Sequence, residues 1–183
     1  MKRLKLFTGI ALTPTVRAKC NEVAERLRAT GLEARFETRE KLHITLAFLG
    51  WVEPEAIESM RGALARVAQR MHAFDLTLDK IGAFPHERKP RVIWIGASEQ
   101  GAAFRELSRS LRATYEELGF HFDKENVAHV TIARVKGGDA HLPLLEIKPM
   151  RLDVHELILF ESVPAAETTR YEVRARYPLK ARA

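Results

Sequence analysis

Apolar and polar positions alternate over Leu4 to Leu12, which predicts an opening strand. Thr13 can cap and Pro14 can start a helix that the apolar spacing carries to about Ala29, with Gly31 just beyond its end. A short strand over Arg35 to Thr38 and a stronger one over Leu42 to Leu49, closed by Gly50, come next. Pro54 opens a second helix whose apolar residues Ile57, Met60, Leu64 and Val67 recur at helical spacing to about Met71. Phe74 to Ile81 and Arg91 to Ile95 read as two strands around the basic loop PHERKP. A third helix runs from about Gln100 to Leu118 on the stripe Phe104, Leu107, Leu111 and Tyr115, with Gly119 ending it. Strands return at Val127 to Ala133, Leu152 to Phe160 and Tyr171 to Leu179, separated by turn-rich stretches such as Lys136 to Ala140. The order mixes strands and helices without regular β-α-β alternation, so the expected class is α+β with antiparallel sheets.

Two of these strands carry one pattern twice. His43-Ile44-Thr45-Leu46-Ala47 and His129-Val130-Thr131-Ile132-Ala133 agree at the first, third and fifth positions, with aliphatic residues between. Strand alternation sends each His and Thr to one face and the aliphatic residues to the core. Apolar alternation accounts for the aliphatic positions but gives no reason to repeat both an imidazole and a hydroxyl. If two similar lobes are related by an approximate two-fold axis, the displays face each other across a groove. Two imidazoles can take a proton from water and give one to a leaving oxygen, the needs of cyclic phosphodiester hydrolysis, and their ordinary pKa of about 6.5 serves both tasks near neutrality. Thr45, Thr131 and the nearby Arg134 could contact phosphoryl oxygens.

Composition narrows the setting. The 183 residues are 46% hydrophobic and 30% charged, ordinary for a folded soluble chain, and suggest one compact two-lobed unit over residues 1–183. An excess of 30 Lys and Arg over 24 Asp and Glu gives +6, which favours polyanionic partners without naming one. The single Cys20 excludes an internal disulfide and a cysteine metal cluster, pointing to a reducing compartment, the cytoplasm. The opening MKRLKLFTGIAL is interrupted by Lys5 and suits a strand better than a signal peptide, and no run is long enough to span a membrane. Neither histidine has an Asp, Glu or Cys at ligand spacing, so no metal or cofactor is expected. His86, beside Arg88, Lys89 and Arg91, reads equally as a solvated hairpin tip or a nucleic-acid backbone contact, and Phe48 and Trp51 as core or as a stacking surface for a base.

In HITLAFLG, HVTIAR, the opening RLKLFTGIAL, the middle GAFPHERKPRVIWIG and the final ESVPAAETTRYEVRARYPL, the sequence resembles the two-histidine (2H) phosphoesterase superfamily. The likeness is to the LigT-like RNA 2′,3′-cyclic phosphodiesterases, also called 2′-5′ RNA ligases, and covers nearly the whole chain. It implies a bilobal α+β fold, two antiparallel sheets with outer helices around a central cleft. It further implies that His43 protonates the leaving 3′-oxygen, that His129 activates water, and that Thr45, Thr131 and Arg134 bind phosphate. The substrate implied is RNA ending in a 2′,3′-cyclic phosphate, tRNA fragments included, acted on by a monomer. Strand parity puts Arg134 opposite His129, so its reach into the cleft requires a bulge or strand end. Glu167-Thr168-Thr169-Arg170 lacks the glycine often found before the family's final Tyr. Two rivals remain: ligation of RNA halves at the same site, and a non-catalytic RNA-binding module.

Overall fold

The computed structural model describes residues 2–137, 141–166 and 168–182. Among the described residues ten strands and three α-helices follow in the order β1 (Leu4–Ala11), α1 (Pro14–Arg28), β2 (Ala34–Phe36), β3 (His43–Val52), α2 (Ile57–Ala68), β4 (Phe74–Leu78), β5 (Lys80–Phe84), β6 (Val92–Gly96), α3 (Gly101–Glu116), β7 (His129–Val135), β8 (Met150–Val154), β9 (Glu156–Pro164) and β10 (Thr169–Pro178). They form two antiparallel sheets in an α+β arrangement. The larger has the order β10-β9-β1-β3-β7-β6-β5, with β2 also on β7, and the smaller pairs β4 with β8.

The helices form where caps and stripes agree. Thr13 Oγ1 accepts from the Val16 N–H at 3.3 Å and Pro14 fills the first turn of α1, which buries Val16, Cys20, Val23 and Leu27. Helix α3 buries Phe104, Leu107, Leu111 and Tyr115, and the Tyr115 hydroxyl reaches Thr8 Oγ1 on β1 at 2.7 Å. One core joins these stripes to Ile44, Leu46, Val130 and Ile132 on one face of the sheet, leaving the His and Thr of both motifs on the other.

Several boundaries differ from the sequence reading: β2, β7 and β10 shift by one or two residues, and four places differ more. The runs taken as single strands over Phe74 to Ile81 and Leu152 to Phe160 are each two, broken at Asp79 and His155, where the chain passes from the small sheet to the large one. Alternation continues across a one-residue break, so periodicity does not register it; Asp79 secures its corner by accepting from the Ser98 N–H and hydroxyl, both at 2.7 Å. Gly50 does not end β3: at φ +71° it sits in a bulge, and the strand runs on to Val52. Pro54 begins a 3₁₀ turn, and α2 proper starts at Ile57 and stops at Ala68. The expected turns at Lys136 to Ala140 and Glu167 to Arg170 fall partly outside the described residues, at 138–140 and 167.

The seam between the two halves of the large sheet positions the site. Strand β3 meets β7 at the single pair Ile44 and Val130, the second residue of each motif. An antiparallel pair has a local two-fold axis, so this register sets His43 across from Thr131 and Thr45 across from His129. Beyond that pair the strands part, and the edge of β7 is taken up by β2 and by the Glu37 N–H, which donates to the Ile132 carbonyl at 2.9 Å.

Candidate active site

The strands diverge at matching bulges. Against β1, Thr45 pairs with Gly9 and Ala47 with Thr8, leaving Leu46 without a partner; against β6, Thr131 pairs with Trp94 and Ala133 with Ile93, leaving Ile132 without one. Each bulge shifts side-chain parity by one residue. Phe48 therefore joins His43 and Thr45 on the outer face, and Arg134 joins His129 and Thr131, which meets the condition on its reach into the cleft. The carbonyls of both bulged residues are served from across the seam, Ile132 by the Glu37 N–H and Leu46 by the Asn126 side-chain amide.

His43, Thr45, His129, Thr131 and Arg134 line one cavity of about 320 Å³, at the small end of ligand-sized sites. Both imidazoles are held alike. His43 Nδ1 lies 2.6 Å from the Lys41 carbonyl and His129 Nδ1 lies 2.7 Å from the Val127 carbonyl, each two residues back. A carbonyl only accepts, so Nδ1 carries the hydrogen in both rings and Nε2 is left for chemistry. His43 Nε2 meets Thr45 Oγ1 at 2.9 Å, a contact the hydroxyl donates to the neutral ring and accepts from the charged one.

Aromatic rings bed both histidines. Phe7 and Tyr171 lie 4.9 and 5.1 Å from His43, centroid to centroid, and Phe84 lies 5.1 Å from His129. Glycines make room: a Cβ on Gly9 would come 2.7 Å from the Ile44 carbonyl oxygen, and one on Gly96 2.6 Å from that of Ala128.

Burial lowers the pKa of both rings, against the hydrogen bonds to Lys41 and Val127 that support the charged form. Other charges then separate them. Glu37 favours charged His43, opposed by His129 and Lys41, whereas Arg134 disfavours charged His129. Glu37 is the electrostatic hub. Burial would raise its pKa, but Lys41 at 3.1 Å and Arg134 at 3.1 Å together hold it below 4.5. Lys41 is itself buried, at 9% exposure, donates to Thr168 Oγ1 at 3.2 Å and lies 5.3 Å over the Tyr171 ring.

The sequence reading missed Glu37, Lys41 and Asn126, as well as the rings of Phe7, Phe84 and Tyr171. His86 lies in the exposed loop between β5 and β6, outside this cavity, and Cys20 is buried in α1. Among the described residues there is no group of three or more His, Cys, Asp or Glu placed to hold a metal, and no helix is long and apolar enough to cross a membrane.

Comparison with known proteins gives a consistent picture. The family model for LigT like phosphoesterases matches residues 10–94. The RNA 2′,3′-cyclic phosphodiesterase of Archaeoglobus fulgidus is 35% identical over 136 residues, 73% of this chain and 73% of that protein. The crystal structure of TT0787 of Thermus thermophilus superposes with a TM-score of 0.87 at 27% identity over 98% of this chain and all of that one. Escherichia coli LigT, solved in complex with 3′-AMP, gives 0.80 at 26% identity over 97% and 98% of the two chains. By fold and by sequence, the chain belongs to the LigT-like phosphoesterase family.

Proposed function

We propose that this protein hydrolyses 2′,3′-cyclic phosphate ends of RNA to 2′-phosphomonoesters, without a metal, with His129 taking a proton from water and His43 giving one to the leaving oxygen. The observation that carries this reading is the pair of Nε2 atoms presented to one cavity from strands related by a local dyad, each imidazole with its Nδ1 hydrogen fixed by a backbone carbonyl. The names of its relatives support the substrate class, and the 3′-AMP bound by Escherichia coli LigT is a ribonucleotide monophosphate.

In the proposed reaction the water oxygen bonds to phosphorus while its proton passes to His129 Nε2. The bond from phosphorus to the 3′-oxygen breaks, and that oxygen takes the proton from His43 Nε2. The Glu37 field supports a charged His43 and the Arg134 field a neutral His129, the protonation states this assignment needs. Thr45, Thr131 and Arg134 stabilise the phosphoryl oxygens, Arg134 oriented by Glu37. The two halves of the sheet serve as the lobes of one catalytic unit, and the single cysteine accords with a cytoplasmic setting.

The test is incubation with an RNA oligonucleotide bearing a 2′,3′-cyclic phosphate, in chelator, with product identification. A 2′-phosphomonoester is expected, and His43→Ala and His129→Ala should each abolish turnover while retaining RNA binding. Joined 2′-5′ product without hydrolysis would instead establish a ligase, binding without turnover an RNA-binding module, and loss of activity in chelator a metal requirement.

A further inference from the structure

The bulges that shape the cleft also extend it along one strand. In β3 the first bulge, at Leu46, brings Phe48 onto the face of His43 and Thr45. The second, at Leu49 beside Gly50, does the same for Trp51, since Leu6 pairs with Gly50 while Phe7 pairs with Phe48. The outcome is a row of outward side chains leading away from the catalytic histidine. Phe48 and Trp51 are 56% and 58% exposed, large apolar surfaces left to solvent in a strand otherwise buried on its other face. Lys5, the register partner of Trp51 on β1, holds its ammonium 5.7 Å from the Phe48 ring and 5.9 Å from the Trp51 ring. Among the described residues Lys5 has no ion-pair partner, and both Lys5 and Phe48 line the cavity that contains the two histidines.

Phe48 stands at the place in the first motif that Arg134 holds in the second, one residue past the bulge and its following alanine. One rim of the cleft thus offers a guanidinium to phosphate and the other a pair of aromatic faces with a cation beside them.

Resting on the reaction proposed above, we propose that Phe48, Trp51 and Lys5 form a docking platform for single-stranded RNA immediately 5′ of the cyclic phosphate. The rings stack on unpaired bases and Lys5 meets the connecting backbone phosphates. Aromatic rings beside a cation, continuous with a phosphate site, match single-stranded nucleic acid, whose every base has a π-face and every linkage a negative charge. Distance assigns the bases to the upstream nucleotides. At about 3.3 Å per residue, Trp51 lies up to roughly 26 Å along the strand from His43, and the nucleoside that carries the reacting phosphate does not reach that far. The platform makes the protein selective for oligonucleotides over mononucleotides.

The test compares kcat/KM for a single-stranded oligonucleotide and for a nucleoside 2′,3′-cyclic phosphate in Trp51→Ala. One lost stacking contact corresponds to about five- to 150-fold, so the ratio of the two values should fall at least about fivefold. Trp51→Phe, which keeps a ring, should hold the ratio within about twofold of the parent, an outcome a merely structural role for Trp51 would not produce. A ratio unmoved in Trp51→Ala overturns the proposal. An independent readout needs no turnover. The tryptophans are Trp51, exposed, and Trp94, buried at 8% exposure. Titration with a single-stranded oligonucleotide ending in a 3′-phosphate should quench the fluorescence of the parent, and Trp51→Phe should lose most of that quenching. Quenching that survives Trp51→Phe overturns the platform, whereas quenching with hydrolysis of neither substrate sustains the platform and removes the reaction.

Discussion

The most informative single perturbation is Asn126→Ala. The register that sets Ile44 against Val130 would bring Ala128 opposite Leu46, but β7 has not begun there, and the Ala128 N–H is taken by Gln100 Oε1 at 3.0 Å. The Leu46 carbonyl, in a residue 1% exposed, receives the Asn126 amide instead, and the same amide reaches Ser108 Oγ on α3 at 2.9 Å. Alanine removes both bonds. The Ser108 hydroxyl can rotate to another acceptor, but the carbonyl is left buried and unpaired, at a cost of about 1–3 kcal/mol, to which the lost bond to Ser108 adds about 1 kcal/mol. We expect a loss of about 2–4 kcal/mol in urea unfolding, and a Tm lower by roughly 4–16 °C for a chain of this size. Ser108→Ala, which forfeits only the second bond, should cost about 1 kcal/mol or less. Asn126 also adjoins Val127, whose carbonyl fixes His129. Loosening that residue should lower kcat about tenfold, with the acid limb of its pH profile displaced, because misplaced groups lose rate steeply. An Asn126→Ala protein within about 0.5 kcal/mol of the parent would refute the account of the seam, since an unpaired buried carbonyl cannot be that cheap.

Other expectations follow from the same geometry. Because burial lowers both histidine pKa values below 6.5, the bell-shaped profile of kcat/KM should centre on the acid side of 6.5; the substrate's charge favours imidazolium, so the kcat profile should lie at higher pH. A monotonic rise from pH 5 to 9 would contradict it. Glu37→Gln leaves buried Lys41 without its counter-charge and should cost about 2–3 kcal/mol near neutrality, less than the about 3–5 kcal/mol of emptying such a site. Glu37 has a lowered folded pKa, so its stabilisation is fully present above 4.5 and lost as pH falls through the folded value. The parent and Glu37→Gln denaturation midpoints should therefore converge in acid. Gly9→Ala forces a methyl against the Ile44 carbonyl beside His43 and should destabilise by about 1–3 kcal/mol with loss of turnover, read by unfolding and by rate. Burial raises the Cys20 thiol to about 12, so a thiol reagent at pH 8 should label the native protein no faster than it unfolds, and rapid native labelling would contradict its burial.

The sequence made the histidine pair legible because a repeat is superimposed on strand alternation: the second and fourth motif positions answer to the core and the first and third do not. The bulges were legible too, though less plainly. In Thr45-Leu46-Ala47-Phe48 and Thr131-Ile132-Ala133-Arg134 two apolar residues follow one another where alternation allows one, and that doubling marks the extra residue in each strand. Glu37 and Lys41 left no such mark. They stand in the charged stretch from Glu37 to Lys41, Glu-Thr-Arg-Glu-Lys, and only tertiary packing separates its two buried members from the solvated ones. Asn126 is invisible for the same reason, its partners being 80 and 18 residues away in the chain.

A dyad running between Ile44 and Val130 would by itself make the two histidines equivalent, and equivalent groups cannot divide the labour of acid and base. What separates them is where the surrounding residues break the symmetry. The segment ahead of the first motif crosses the seam with Glu37, a carboxylate beside His43; the segment ahead of the second crosses with Asn126, which carries no charge. Two residues past each bulge the halves differ again, Phe48 against Arg134, so a guanidinium lies on the His129 side and an aromatic rim with Lys5 beside it on the His43 side. The scaffold turns both rings to one cavity, and in the reaction proposed above these differences at matching positions favour the proton on His43. Exchanging roles would therefore require moving a charge across the seam, with the histidines left in place.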